Sequence, residues 1–388
     1  MKARFRPSLA ILFACALAGA PGATAQTESA SSPDSSSGRY DERPYLSGVF
    51  GTIRLGGYAE AIGRWERVDG ATEELGFELT RLSLVTATNL RDRVQVWTEL
   101  EFKEGGEEIE LEQAQVDFHF RRALGFRGGV LLVPIGRFNL AHDGPRTELP
   151  DRPAVSTDLL GSALSQPGLG LFGEAGIGRQ GALGYEAYAI TGYQAELLSS
   201  DGTRLVAGHE NFEDGNNSPG WVARIEWRPA PRQGLGLSGY TGAYNVYRVE
   251  GIEVDERRDV SVGALDLDTR VAGFRVTGEA ALVEVDIPAG LLGIYARRQS
   301  GAYLEVSRSL FAGSLGPGSR WTASARLEAL DFDRDLPGDS MRAVTLGVNV
   351  RPIPESCLKL AFRRGETRDR FNNRTPAASL TLGLATYF

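Results

Sequence analysis

Apolar and polar residues alternate with a period of two from about residue 47 to the end of the chain. In one typical segment, Val96 and Leu100 alternate with Glu99 and Glu101. Such alternation gives a β-strand one apolar face and one polar face. No helical stripe of about twelve residues or more stands out against this pattern. The pattern therefore predicts an all-β protein.

Sixteen segments show the alternation, with boundaries defined to about 2–4 residues. They cover approximately 49–67, 75–87, 93–104, 109–121, 124–134, 166–175, 183–194, 219–229, 234–246, 259–268, 271–287, 300–309, 319–332, 340–351, 356–367 and 377–388. Short turns follow most even-numbered segments and longer connections follow most odd-numbered ones. The longest connections are about 134–165 and 195–218. Short turns at one end and long loops at the other are typical of an outer-membrane β-barrel.

The first residues have the three parts of an export signal. A basic start with Lys2 and Arg4 precedes an apolar run over 9–20, and small residues at 23–25 form a cleavage site. A lipoprotein box ending at Cys15 is an alternative, which the bulky Phe13 disfavours. We predict three regions: a signal peptide over 1–25, a disordered linker over 26–46 and a β-barrel over 47–388.

Net charge and cysteine content narrow the function classes. Loss of the three basic residues of the signal moves the net charge from −8 to −11, which excludes nucleic acid as a partner at the level of net charge. Cys15 would leave with the signal, so Cys357 would stay alone. A single thiol forms neither an intrachain disulfide nor a multi-cysteine zinc site.

A soluble β-sandwich is the main alternative fold, because alternation also marks sheets packed face to face. Against it, the predicted strands are long, and the last one, 377–388, ends in Phe388 like the assembly signal of bacterial outer-membrane proteins. No run of 18 apolar residues follows residue 20, which excludes a helical membrane protein. We predict a transmembrane antiparallel β-barrel of about sixteen strands in the outer membrane of a Gram-negative-type bacterium. Its expected partners are outer-membrane lipid and the barrel assembly machinery.

Three segments resemble the phosphate-selective porin O/P family. They are the predicted strand at 77–84, the strand at 110–120 and the segment 133–140, and the motif at 149–155 resembles the family's third loop. The strong part of the resemblance covers about residues 77–175. It implies a sixteen-stranded porin, often trimeric, whose third loop folds into the lumen. The lysine-rich pore of the phosphate-selective members is not repeated, because only Lys103 and Lys359 remain after the signal.

The polar faces of the strands supply the candidate pore residues. We predict a lining of both charge signs, formed by Arg93, Glu99, Glu101, Lys103, Arg127, Arg224, Arg275, Arg326, Lys359 and Arg363. In the third loop, charge clusters within about sixteen residues, and clustered charge at a narrow point sets ion selectivity. The predicted constriction residues are Arg137, Arg146, Arg152, Asp143, Glu148 and Asp151. A loop that forms ion pairs only within itself is the alternative.

Enzymes and cofactor proteins fit the sequence poorly. His119 is predicted to face the lumen, no G-x-S-x-G motif is present, and nothing in the sequence fixes His142 against Ser156. No His or Cys pair has metal-ligand spacing, so we expect no enzyme activity, no cofactor and no metal. The sequence predicts a porin for passive diffusion of small hydrophilic or anionic solutes, with phosphate among the candidates. The alternative is a plugged barrel with a structural or adhesive role.

Overall fold

The computed structural model describes residues 45–48, 51–209 and 213–388. The predicted signal peptide and the linker up to residue 44 lie outside the described residues. Within the part that is described, no helix is long and apolar enough to cross a membrane.

Sixteen long strands form one sheet, and they are numbered β1 to β16 along the chain. Their bounds are β1 Gly51–Val68, β2 Ala71–Leu90, β3 Val94–Lys103, β4 Glu108–Arg121, β5 Leu124–Leu132, β6 Ser165–Ile177, β7 Gly181–Ile190, β8 Gly220–Arg228, β9 Gly234–Ala243, β10 Asp259–Val271, β11 Phe274–Val285, β12 Arg298–Ser309, β13 Arg320–Asp331, β14 Ser340–Ile353, β15 Ser356–Arg368 and β16 Arg374–Tyr387.

The sheet closes on itself. Each strand pairs antiparallel with its neighbours in sequence, and β1 pairs with β16 from Tyr58↔Tyr387 to Val68↔Ala377. A short strand, Tyr45–Gly48, folds back on the start of β1. Closure satisfies the backbone hydrogen bonds that would otherwise be unpaired at sheet edges, which a lipid environment requires. The predicted antiparallel barrel of about sixteen strands is confirmed.

The connections differ at the two ends of the barrel. From β5 onward, the odd-numbered strands are followed by loops such as 133–164, 191–219 and 244–258, whereas most even-numbered strands end in turns as short as 272–273, with the connection 310–319 as a longer exception. Gly273 has a φ of 83° in that two-residue turn, a conformation that side chains with a Cβ rarely adopt. The first hairpin turn, 69–70, is an exception, because it is short although it follows an odd strand.

Alternate residues of each strand face outward or inward. Trp221 is 64% exposed on the outer face of β8, whereas its neighbour Val222 is 2% exposed inside the ring. Ile225 and Trp227 continue the outward apolar row. The outer face of the barrel is therefore apolar, and the inner face carries the polar side chains together with apolar residues such as Val222.

Candidate functional site

Inward side chains of both charge signs line the barrel. Among the ten predicted lining residues, five are buried inside the ring: Glu99, Glu101, Arg224, Arg326 and Lys359. Four more are half-buried: Lys103, Arg127, Arg275 and Arg363. Arg93 differs from the rest because it is exposed in the turn 91–93.

The wall charges are paired across neighbouring strands or, for Arg224 of β8 and Asp266 of β10, across one intervening strand. Arg127 donates two hydrogen bonds of 2.7 Å to Asp117, and Arg275 binds Asp268 at 3.0 and 2.8 Å. Arg224 likewise forms a two-pronged pair with Asp266. Because these guanidinium groups already hold a carboxylate, the wall does not present an uninterrupted ladder of positive charge.

The third loop, 133–164, lies inside the barrel, where wall carboxylates bind its backbone. Glu279 of β11 accepts hydrogen bonds from the amides of Arg137 and Phe138 at 2.9 and 3.1 Å. Glu328 of β13 accepts one from the amide of Ala154 at 2.8 Å. These contacts fix the loop on the side of the lumen formed by β11–β13.

Cations of β13 and β15 bind the loop's carbonyl groups. The Lys359 ammonium donates to the Gly144 carbonyl and to the Thr147 hydroxyl, both at 2.7 Å, and to the Leu149 carbonyl at 3.3 Å. Arg326 donates to the Asp151 carbonyl at 2.9 Å. The loop is therefore held from several sides of the ring.

Among the predicted constriction residues, the three acids contact wall side chains. The Tyr387 hydroxyl donates to Asp143 at 2.7 Å and Arg64 forms an ion pair with Asp151 at 2.6 Å. Glu148 accepts a 2.7 Å hydrogen bond from Asn349.

Of the three loop arginines, Arg137 forms an ion pair with Asp268 at 2.6 Å. Arg146 lines both cavities beside the loop. The carbonyl of Arg152 accepts a hydrogen bond from Arg326 at 3.3 Å. The ion pairs that involve the loop's predicted charges thus run to the wall.

Two polar cavities of opposite character flank the loop in the short-turn half of the barrel. The basic cavity, about 200 Å³, is lined by seven arginines against three carboxylates: Arg137, Arg146, Arg232, Arg270, Arg275, Arg320 and Arg326 against Glu148, Asp268 and Glu305. The acidic cavity, about 280 Å³, includes the carboxylates Glu99, Asp117, Asp143 and Glu186. Arg146 borders both cavities, so the basic and the acidic linings meet at the third loop.

The sequence did not predict a buried ionic cluster on the acidic side. His142 of the third loop lies 2.5 Å from the Glu112 carboxylate, and both side chains are almost fully buried. Burial lowers the pKa of His142, but the Glu112 carboxylate outweighs it and holds that pKa above its ordinary value. The missed signal is Glu112 itself, which lies on the polar face of a predicted strand.

A second missed feature is an apolar cluster in the long-loop half of the lumen. Val155 and Leu159 of the third loop pack with Leu197 and Leu205 of the loop 191–219 against inward residues of β7–β14. Thr203 anchors that second loop by donating a 2.9 Å hydrogen bond to the Ala296 carbonyl. Its sequence signal is a set of apolar residues on the face that is polar elsewhere: Val222, Val260, Val262, Val283 and Val285.

The histidines that were considered for catalysis have structural neighbours. His119 packs edge-on against Phe172, with ring centroids 5.3 Å apart, and His142 pairs with Glu112. His209 lies beside Gly161. Among the described residues, no group of three or more His, Cys, Asp or Glu side chains is placed to hold a metal ion.

Known proteins with the same fold are outer-membrane channels. The outer membrane channel DcaP of Acinetobacter baumannii superimposes with a TM-score of 0.58 at 13% identity, over 89% of this chain and 100% of that one. An anion-selective porin from Comamonas acidovorans gives 0.57 at 10% identity, over 87% and 100%. OmpF of Salmonella typhi in complex with daunomycin gives 0.55 at 10% identity, over 89% and 100%.

Comparison of sequences gives a distant relative and no family. An uncharacterised protein of Aquifex aeolicus (strain VF5) is 21% identical over 363 residues, which cover 85% of this chain and 79% of that protein. No family model matches the chain, so the resemblance to the O/P porins stays a prediction. The chain thus has the sixteen-stranded fold of the porins.

Proposed function

We propose that this protein is an outer-membrane porin of a Gram-negative-type bacterium, through which small hydrophilic or anionic solutes diffuse passively. The observation that carries the proposal is the third loop, held inside a closed ring of sixteen strands with polar cavities on both sides. A barrel of this size leaves room for an aqueous lumen. Passive diffusion requires a wet path past the loop.

Liposome swelling tests the proposal. Vesicles that contain the protein should swell in isotonic solutions of small sugars and dicarboxylates, and the rate should fall as the solute grows. Vesicles with heat-denatured protein serve as the control. Equal swelling in both preparations would refute diffusion through the barrel.

A plugged barrel with a structural or adhesive role is the second candidate. The apolar cluster of the loops 133–164 and 191–219 favours it, because buried Leu197 and Leu205 narrow the long-loop half of the lumen. The same swelling assay separates the two candidates, since a plugged barrel would pass none of the solutes. We favour the porin because cavities lined by charged side chains flank the loop inside the closed barrel.

The proposal extends to the charge preference of the channel. We infer a mild preference for anions, because seven arginines line the basic cavity. Replacing Arg137, Arg146 and Arg152 together by Gln should move the reversal potential under a salt gradient toward cation selectivity. The shift should shrink at high salt, which screens the cavity charges. An unchanged reversal potential would show that other residues set the preference.

Phosphate is one candidate solute, as the O/P resemblance implies. Lys103 pairs with Glu110, and Lys359 is held by loop oxygens. We therefore expect phosphate to pass as one anion among several. Addition of phosphate to a chloride-conducting channel should reduce the current little; a block at low concentration would support phosphate selectivity instead.

A homotrimer and delivery by the barrel assembly machinery complete the proposal. One of the solved porin-type structures is described as a trimer form of OmpT of Vibrio cholerae. For this chain, cross-linking in outer-membrane vesicles should give a ladder that ends at three subunits. A ladder that stops at the monomer would argue against the trimer.

A further inference from the structure

An apolar groove runs across the outside of the barrel near the long-loop ends of β9–β15. We call it the outer groove; its volume is about 890 Å³, within the range of small-ligand pockets. The outward residues of its floor are small, and larger side chains flank them: Gly263, Ala280, Ala302 and Ala329 between Leu265 and Leu282. The loop 332–339 contributes Leu336 and Pro337 at one end.

Four arginines lie beside the groove on the outer face, and we call them the rim cluster: Arg342 of β14, Arg364 and Arg368 of β15, and Arg374 of β16. Arg342 and Arg368 line the groove itself. In the strand register Arg342 faces Glu366, and Arg368 faces Arg374. Side chains directly opposite each other on neighbouring strands lie about 5 Å apart and diagonal ones about 7–8 Å apart, so the four form one patch.

The rim cluster is only partly neutralised. Glu366 lies 2.5 Å from Arg374 and 3.6 Å from Arg368. Asp331 borders the groove from β13, where its carboxylate accepts the Asp333 amide. Within the described part of the chain, neither Arg342 nor Arg364 has a carboxylate within 4 Å. A patch of four guanidinium groups and two carboxylates is complementary to an anion, and Arg binds phosphate in a two-pronged geometry.

The position of the cluster along the barrel indicates the kind of anion. Val344, Phe362 and Leu380 belong to the exposed apolar belt of β14–β16, and the rim cluster begins directly beyond them toward the long loops. Charged residues at the edge of the apolar belt meet lipid head groups. Bacterial outer-membrane barrels have short periplasmic turns and longer extracellular loops, and we propose the same topology for this barrel. These head groups then belong to the outer leaflet.

We propose that the outer groove and the rim cluster form a binding site for lipid A, the phosphorylated and multiply acylated glycolipid of the outer leaflet. The groove takes part of an acyl chain between its small residues. Arg342, Arg364 and Arg368 bind a phosphate at the rim. The site rests on the proposed membrane orientation and not on conduction through the lumen.

Native mass spectrometry of the whole protein in detergent tests the site. Bisphosphorylated lipid A should bind the wild type, and the variant Arg342→Gln/Arg364→Gln/Arg368→Gln should bind it about tenfold or more weakly, because it lacks three of the positive charges that attract the phosphates. Arg308→Gln is the matched control, because Arg308 is an exposed outward arginine at the short-turn end, stacked on Phe274. It should bind like the wild type.

Further measurements distinguish the possible occupants of the outer groove. Dephosphorylated lipid A should bind the wild type as weakly as lipid A binds the triple variant. Full affinity of the triple variant, equal binding of phosphatidylglycerol, or complete displacement by inorganic phosphate would each overturn the proposal. So would efficient disulfide cross-linking of an Ala302→Cys variant to itself in vesicles, since a second copy would then cover the groove.

A second variant covers the case in which the triple variant does not fold. Ala302→Phe/Ala329→Phe fills the outer groove and leaves the arginines in place, and it should also weaken lipid A binding. Liposome swelling of the same preparations reports on the lumen separately. A variant that swells normally but no longer binds lipid A supports the lipid site. A wild type that gives no swelling would refute the proposed function, and the binding measurements would then decide on the lipid site by themselves.

Discussion

At the residue scale, neighbouring side chains on one strand meet opposite environments. Ile225 is exposed on the outer face of β8, whereas Glu226 faces inward beside Arg228 and Arg137. Replacing Ile225 by Arg should destabilise the barrel by roughly 2–4 kcal/mol near the bilayer midplane. Urea unfolding in lipid vesicles measures the loss. Glu226→Gln is the control and should cost far less; equal losses would show the strand phase to be wrong.

His142 predicts a pH dependence at the same scale. Its pKa is held above the ordinary value by Glu112, with Asp143 acting in the same direction and burial and Arg152 against it. The stabilisation from the charged pair is therefore complete below the unfolded pKa of about 6.5 and is lost as the pH rises through the folded pKa. As the pH rises above about 6.5 and through the folded pKa of His142, the melting temperature of the wild type should fall relative to that of His142→Asn.

The control for His142 is a histidine without a carboxylate partner among the described contacts. His119 packs against Phe172, so His119→Asn removes a histidine and leaves the contact of His142 with Glu112 in place. A constant difference in melting temperature between the wild type and His142→Asn across the pH range would contradict the ion pair.

At the scale of elements, the third loop depends on a few wall residues. Lys359 makes three contacts with the loop and is almost fully buried. Replacing Lys359 by Met should release the segment around Gly144 and Thr147, because each buried oxygen loses a charged donor. We expect noisier single-channel currents with larger open steps.

The matched control for that change is Lys103→Met. It removes the other lysine of the barrel, which pairs with Glu110 and Glu101 on the wall and not with the loop. Its current traces should resemble those of the wild type in noise. Identical noise in the two variants would show that Lys359 does not restrain the loop.

Sequence patterns predicted the strands well because their rule is local. The alternation around Trp221 and Phe362 arises because each strand has one apolar face and one wet face. This pattern is visible within the strand itself and does not depend on distant residues. The inner contacts were not predictable in this way. Lys359 meets Gly144 across 215 positions, and no periodicity encodes such a contact. The apolar cluster around Leu197 was missed for a related reason. The strand pattern does not distinguish an inward valine such as Val260 from other strand valines, because its burial depends on a loop that packs against it from a distant part of the chain.

At the scale of the whole molecule, the orientation in the membrane is the first expectation to check. The proposed topology puts the loop 191–219 at the cell surface and the turn 178–180 in the periplasm. On intact cells, an impermeant thiol reagent should label Asp201→Cys and not Arg179→Cys, and both positions are exposed. Background is low because the lone described cysteine, Cys357, is buried. The reverse labelling pattern would invert the topology and move the proposed lipid site to the inner leaflet.

Single-channel recording in a planar bilayer tests most directly whether the barrel is a channel narrowed by its third loop. The wild type and a variant that lacks 142–150 would be compared under the same salt and voltage, with folding verified by gel mobility. A porin constricted by this loop gives discrete current steps in the wild type and larger steps in the deletion variant. A folded wild type without steps would contradict the channel, and equal steps in the two proteins would contradict the constriction.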